Sequence, residues 1–339
     1  MSNKGLKQAS IRAVTSTTGT YEEDWHALFD LAGIATGTFN GRLLGYINHK
    51  LSSSYDNLPS AMQAFAADNG AYNWDSLGTF DASEGDGSLA DVIASAVFDL
   101  DATQAASYTS GVTWSNLVTA PADGSAQTAY DFYTGDGSTS TTYPTFNGSA
   151  GDAAAYWSFD GGDYFGLKSG TNTTLINNLS KTTGGSDFWF AVAVKHIDGP
   201  STIGIINTQA TANGAGVSVR FQAGEIIDLT QRQTANSIGS SVVTATNDTN
   251  YLIIASHSHS NNTTRFWINS TTVIEIAHTF NTGTSNASIA MVLGTLGAGR
   301  FASGTFMYSA AMGNEYLDDT KAAAIITALE ARHARDYTP

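Results

Sequence analysis

The sequence predicts a mainly β protein. Its C-terminal part, residues 94–339, reads as a two-layer jelly-roll sandwich with a short closing helix, preceded by a small all-α N-terminal module. Three observations carry this expectation. From about Ala94 the apolar residues recur at every second position. Clusters of Gly, Asn, Ser and Thr separate those runs at short intervals. Helical spacing is confined to residues 20–80 and to the C-terminal end.

Residues 1–19 read as an extended arm. In "TYEEDWHALFDLAG", Thr20 and Glu23 form a capping box, and Trp25, Leu28, Phe29 and Ala32 follow helical spacing up to Gly33. "TFNGRLLGYINHKL" repeats the pattern from Thr38, with Phe39, Leu43, Ile47 and Leu51 as its stripe. A third short helix fits "LPSAMQAFAADNG", with Pro59 in its first turn. A module of roughly 60 residues buries little core and gains from assembly. The acidic, Gly/Ser-rich residues 81–93 read as a linker, in which Ser88 and Asp91 can start one short helix.

Beyond the linker, "FWFAVAVK" places Phe188, Phe190, Val192 and Val194 on one face and Trp189, Ala191 and Ala193 on the other. Both faces are apolar, which suits a central strand covered on both sides. "VSVRF", "YLIIASHSHS", "RFWIN", "TTVIEIAH" and "SIAMVLG" are further strands. In "LDDTKAAAIITALEARHA", Ala322, Ile325, Ile326 and Leu329 form one helical stripe, and Arg332 and Arg335 lie where a helix end favours cations. In "WSFDGGDYFGL", Asp160-Gly161-Gly162-Asp163 reads as a tight turn between two strands.

Composition excludes several functions. The net charge of −15 repels phosphate backbones and anionic bilayers. No run is apolar enough for a transmembrane helix, and "MSNKGLKQAS" has no signal-peptide h-region. The chain has no cysteine, so thiol catalysis, zinc ribbons and disulfide frameworks are ruled out. Charged residues make up only 13%, so solubility rests on Ser, Thr, Asn and Gly.

The order of "FDGGDYF", "FWFAVAVK", "YLIIASHSHSNNTTRFWINSTTVIE" and "MVLGTLGAGRFASGTFMYSAAMGNEYLDDTKAAAIITALEAR" resembles the laminin-G-like, concanavalin A-like jelly roll. Tyr251, Arg265, Phe266, Trp267 and Asn269 occupy its hairpin positions, and Phe301, Gly304, Phe306 and Tyr308 its final strand. Ser270 stands where the family usually has Gly, which implies a wider turn. The helical segments "GTFNGRLLGYINHKL" and "NWDSLGTF" resemble modules found ahead of such jelly rolls in tailed-bacteriophage structural proteins. The resemblance therefore implies a non-enzymatic virion protein: a tail fibre, head spike or decoration protein. Such a protein assembles in the host cytoplasm as a homo-oligomer, with a trimer the first expectation, attaches to other virion proteins through its N-terminal part and contacts a host-surface glycan. The rival readings are a decoration or cement protein that binds no glycan, and a secreted carbohydrate-binding protein or glycoside hydrolase.

Glycan binding needs planar hydrogen-bonding groups beside an aromatic ring. The candidates are Arg220, Gln222, Arg232, His257, His259 and Trp267. Hydrolysis needs two facing carboxylates. In "GEIIDLTQ", Glu225 and Asp228 are three apart and point to opposite faces of a regular strand, with Asp228, Thr230 and Arg232 on the solvent side. No catalytic residue is therefore assigned. His257 and His259 share one strand face but have no third metal ligand nearby in sequence. No cofactor is expected, and Asp136, Asp160 and Asp163 are the loop acids to consider for calcium.

Overall fold

The computed structural model describes residues 88–199, 202–211, 213–222, 225–233, 236–278, 283–297 and 299–338. The expected arm, helical module and residues 81–87 of the linker lie outside these. Two eight-stranded antiparallel sheets stack face to face, as the sequence predicts.

The first sheet holds β1 (Ala96–Asp101), β4 (Thr145–Asn147), β5 (Tyr156–Ser158), β7 (Phe188–His196), β12 (Thr249–Ser258), β13 (Thr263–Ile268), β14 (Ile274–Ala277) and β18 (Phe306–Gly313). Its order is β14-β13-β12-β7-β18-β5-β4, and β1 also pairs with β18. The second sheet holds β2 (Thr113–Trp114), β3 (Phe132–Thr134), β6 (Phe165–Leu167), β8 (Ile203–Asn207), β9 (Gly216–Gln222), β10 (Ile226–Gln233), β11 (Asn236–Thr244) and β15 (Val292–Leu293), in the order β11-β10-β9-β8-β15-β6-β3-β2. A small hairpin, β16 (Thr295–Leu296) with β17 (Gly299–Arg300), sits beside β8.

β7 shows how period two sets the architecture. Phe188, Phe190, Val192 and Val194 enter the core between the sheets, where they join Val217, Val219 and Phe221 of β9 and Ile227 and Leu229 of β10. Trp189, Ala191 and Ala193 face the other way, into a second core roofed by the C-terminal helix α2 (Asp319–His333). The stripe Ala322, Ile325, Ile326 and Leu329 meets them there, together with Trp267 and Ile254. The Asp318 carboxylate caps α2 by accepting from the Lys321 N–H, and Ala334 ends it in the left-handed conformation.

Several expectations shift in detail. Residues 88–93 are packed rather than free: Ser88 caps a 3₁₀ turn at Leu89–Asp91, and Leu89 and Ile93 are buried in the second core. The Asp160–Asp163 turn joins β5 to β6, which lie in different sheets, so it is a crossover between layers and not a hairpin. Arg332 does more than meet a helix end. It ion-pairs with Asp99 at 2.7 Å, while Nε2 of His333 lies 3.4 Å from Asp101. Both aspartates are fully buried on β1, so this network fastens α2 to the first sheet.

Candidate functional site

An open cleft of about 310 Å³ lies where three separate segments meet. Asp123, Gly124 and Ser125 come from the loop after β2. Thr174, Leu175 and Asn178 come from the short helix α1 (Thr174–Asn178), and Ser186 from the approach to β7. The lining is carboxylate, hydroxyl and amide around a single apolar side chain, at the small end of small-ligand sites, roughly 300–1,000 Å³.

Its polar groups are held in place by their neighbours. The Asp123 carboxylate accepts from the Ser125 N–H at 3.1 Å, from the Ser125 hydroxyl at 2.8 Å and from the Tyr130 hydroxyl. Tyr130 is otherwise buried under the inner core, and burial, followed by the Asp123 carboxylate, raises its phenol above the ordinary value. It therefore serves Asp123 only as a donor. Thr173 caps α1 by accepting from the Ile176 N–H. Lys181 Nζ donates to Asn178 Oδ1 at 2.9 Å, which fixes the amide and leaves its NH₂ to donate elsewhere.

The residues singled out from sequence do not converge on this cleft. Arg220 is 9% exposed and makes a bidentate pair with Asp228, Nε to Oδ1 at 2.7 Å and the second nitrogen to Oδ2 at 2.9 Å. Asp228 and Thr230, expected on a solvent face, are buried. Gln222 ends β9, opposite Ile226, and Arg232 is half-buried on β10. Trp267 lies beneath α2 with its indole N–H 3.3 Å from Asp319 Oδ1, so its ring is not presented for stacking. His257 is buried against Phe188, and its Nδ1 lies 3.0 Å from the Thr264 hydroxyl. Burial, reinforced by His278 and His259, holds its pKa down at about 3, so it is neutral. His259 lies past the end of β12, where its N–H donates to Asp187.

The calcium candidates lie on neighbouring loops, joined by the Tyr164 N–H donating to the Thr142 carbonyl at 3.3 Å. Each already accepts hydrogen bonds from its own loop. Asp136 accepts from the backbone of Ser138 and Thr139 and from the Thr139 hydroxyl, and these bonds hold its carboxyl well below the usual range. Asp160 Oδ1 accepts from Gly162, and Asp163 Oδ2 from Asp160. Burial, and then the neighbouring Asp160, push Asp163 up to about 6. Among the described residues, one group of three metal-capable side chains converges elsewhere: His196, Asp198 and Glu225, with ligand atoms within 4.8 Å of one another.

The cleft residues went unnoticed in the sequence because none belongs to a motif. The "KHID" segment does carry a local signal, since His196 and Asp198 are two apart at a strand end, but Glu225 reaches them only through the β9–β10 turn.

No protein-family profile matches this chain, and no curated protein matches it significantly. Solved structures show a distant likeness. Trypanosoma rangeli sialidase in complex with sialic acid matches with a TM-score of 0.45 and 9% identity, over 71% of this chain and 34% of that one. A structure of botulinum neurotoxin type C, described as depending on two ganglioside molecules to enter cells, matches with a TM-score of 0.48 and 12% identity, over 71% and 53%. The binding domain of botulinum neurotoxin serotype D matches with a TM-score of 0.45 and 9% identity, over 68% and 51%. The chain thus spans about a third to a half of the structures it resembles. The class that the two stacked antiparallel sheets define is a β-sandwich domain.

Proposed function

We propose that this chain is a structural protein of a tailed-bacteriophage virion, a fibre or spike, whose jelly roll binds a host-surface glycan without cleaving it. The observation that carries the binding half is the cleft: a fixed carboxylate, a fixed amide and three hydroxyl side chains around one leucine. A pyranose offers matching hydroxyls and one apolar patch. The non-catalytic half rests on what the strand acids do. Asp228 gives both carboxylate oxygens to Arg220, and Glu225 sits in a turn against His196, so neither faces the other across a groove. The virion half is supported by the sequence resemblance of the N-terminal segments and by an acidic, cysteine-free composition. In this reading the protein assembles as a homo-oligomer, with a trimer the first expectation from the resemblance to virion appendages.

A bacterial-polysaccharide array probed with the full chain tests the binding. Retention of specific oligosaccharides, weakened at least about tenfold by Asp123→Asn or Asn178→Ala, is the expected result. Binding to assembled phage particles with no glycan retained would favour a cement protein instead. Sedimentation equilibrium checks the trimer.

A further inference from the structure

The group His196, Asp198 and Glu225 lies apart from the glycan cleft. His196 ends β7, Asp198 is two residues on in the β7–β8 loop, and Glu225 comes from the turn between β9 and β10. The His196 side chain is 2% exposed and lies against the Phe221 ring at 4.1 Å. Its Nε2 points at two carboxylates, Glu225 Oε2 at 2.6 Å and Asp198 Oδ1 at 3.3 Å. Neither contact has hydrogen-bond geometry, so a buried ring nitrogen is aimed at two oxygens without bonding to either. The acids are the solvent-side members: Asp198 is 52% exposed and Glu225 23%.

The geometry points to a binding site for one divalent transition-metal ion, of which Zn²⁺ is the type, held by His196 Nε2, Asp198 and Glu225. Two carboxylates and an imidazole form a mixed nitrogen and oxygen set that suits Zn²⁺, while Ca²⁺ and Mg²⁺ favour oxygens alone. With metal–ligand distances near 2.0–2.1 Å, tetrahedral ligand atoms lie about 3.3 Å apart. The His196–Asp198 separation of 3.3 Å already meets that, Glu225 has to swing outward from 2.6 Å, and all three ligand atoms lie within 4.8 Å of one another. Three protein ligands with the acids at the surface leave a further coordination position facing solvent. The ion would pin the β9–β10 turn to the end of β7, joining the two sheets at one end of the sandwich.

The test is titration of the untagged full chain with ZnCl₂, followed by calorimetry and thermal unfolding, with CaCl₂ in parallel. One Zn²⁺ per chain is expected, with Tm rising by about 5–10 °C at a hundredfold excess over Kd and no such rise with Ca²⁺. Substituting Co²⁺ should give visible d–d bands. Asp198→Asn and Glu225→Gln, both at partly exposed positions and so compatible with folding, should each weaken Zn²⁺ binding at least about tenfold. Undiminished binding in either variant, an equal response to Ca²⁺, or no binding by the wild-type chain overturns the site and leaves a plain His–Glu contact.

Discussion

Asp99 and Asp101 lie on β1, fully buried, and answer to Arg332 and His333 of α2. Burial pushes both carboxyls up. At Asp101 the adjacent His333 and Arg332 outweigh it and hold the group down at about 2. Removing the cation strands these charges, so Arg332→Met should cost about 3–5 kcal/mol in urea unfolding. His257 makes the opposite demand, since it stays neutral down to about pH 3 in the fold but titrates near its ordinary 6.5 when unfolded. Below pH 6.5 the unfolded chain therefore binds a proton that the folded chain refuses. The His257 contribution to stability therefore falls as pH drops from 6.5 toward 3, and Asp101 extends the loss from 3.8 toward 2, while Asp163, raised to about 6 in the fold, contributes in the opposite sense between 6 and 3.8. His257→Asn keeps a polar partner for Thr264 and should flatten the stability profile between pH 6.5 and 4; a slope as steep as wild type would show that His257 is not its source.

At the scale of elements, α2 roofs the outer face of the first sheet. Trp189 and Trp267 beneath it are both fully buried. Trp267→Ala should cost about 3–5 kcal/mol and loosen α2, which near-ultraviolet circular dichroism and hydrogen exchange over 319–333 would detect. Elements with strong periodicity were legible from sequence: β7 declared both faces, and the Ala322–Leu329 stripe announced its helix. β11, "NSIGSSVVT", was passed over, because Ser and Gly alternate too weakly to mark a strand until β10 supplies a partner along its length. The exposure of polar strand residues was also misjudged. Arg220, Asp228 and His257 look like surface groups in a linear reading, but they are buried with partners that only strand pairing brings alongside: Asp228 opposite Arg220, and Thr264 opposite His257.

At the scale of the whole molecule, two antiparallel layers and a helix bring together loops far apart in sequence. The cleft draws on residues 123–125, 174–178 and 186, and the metal-capable group on residues 196–198 and 225. The cleft has no sequence spacing of its own and the metal-capable group only the His196–Asp198 step, so the fold class could be read in advance while the sites could not. The two sites also make separable predictions. Asp198→Asn should weaken Zn²⁺ binding at least about tenfold and leave glycan retention unchanged, whereas Asn178→Ala should weaken glycan retention and leave Zn²⁺ binding unchanged.

The central claim is that the sandwich holds a glycan in the Asp123–Asn178 cleft and releases it intact. The most direct measurement is amide chemical-shift mapping of the deuterated full chain, titrated with an array-positive oligosaccharide while the anomeric signals of the sugar are followed. The account predicts saturable shifts centred on residues 123–125, 174–178 and 186, with the sugar spectrum unchanged over days. Shifts centred elsewhere on the sheets, or the appearance of new reducing-end signals, would contradict it.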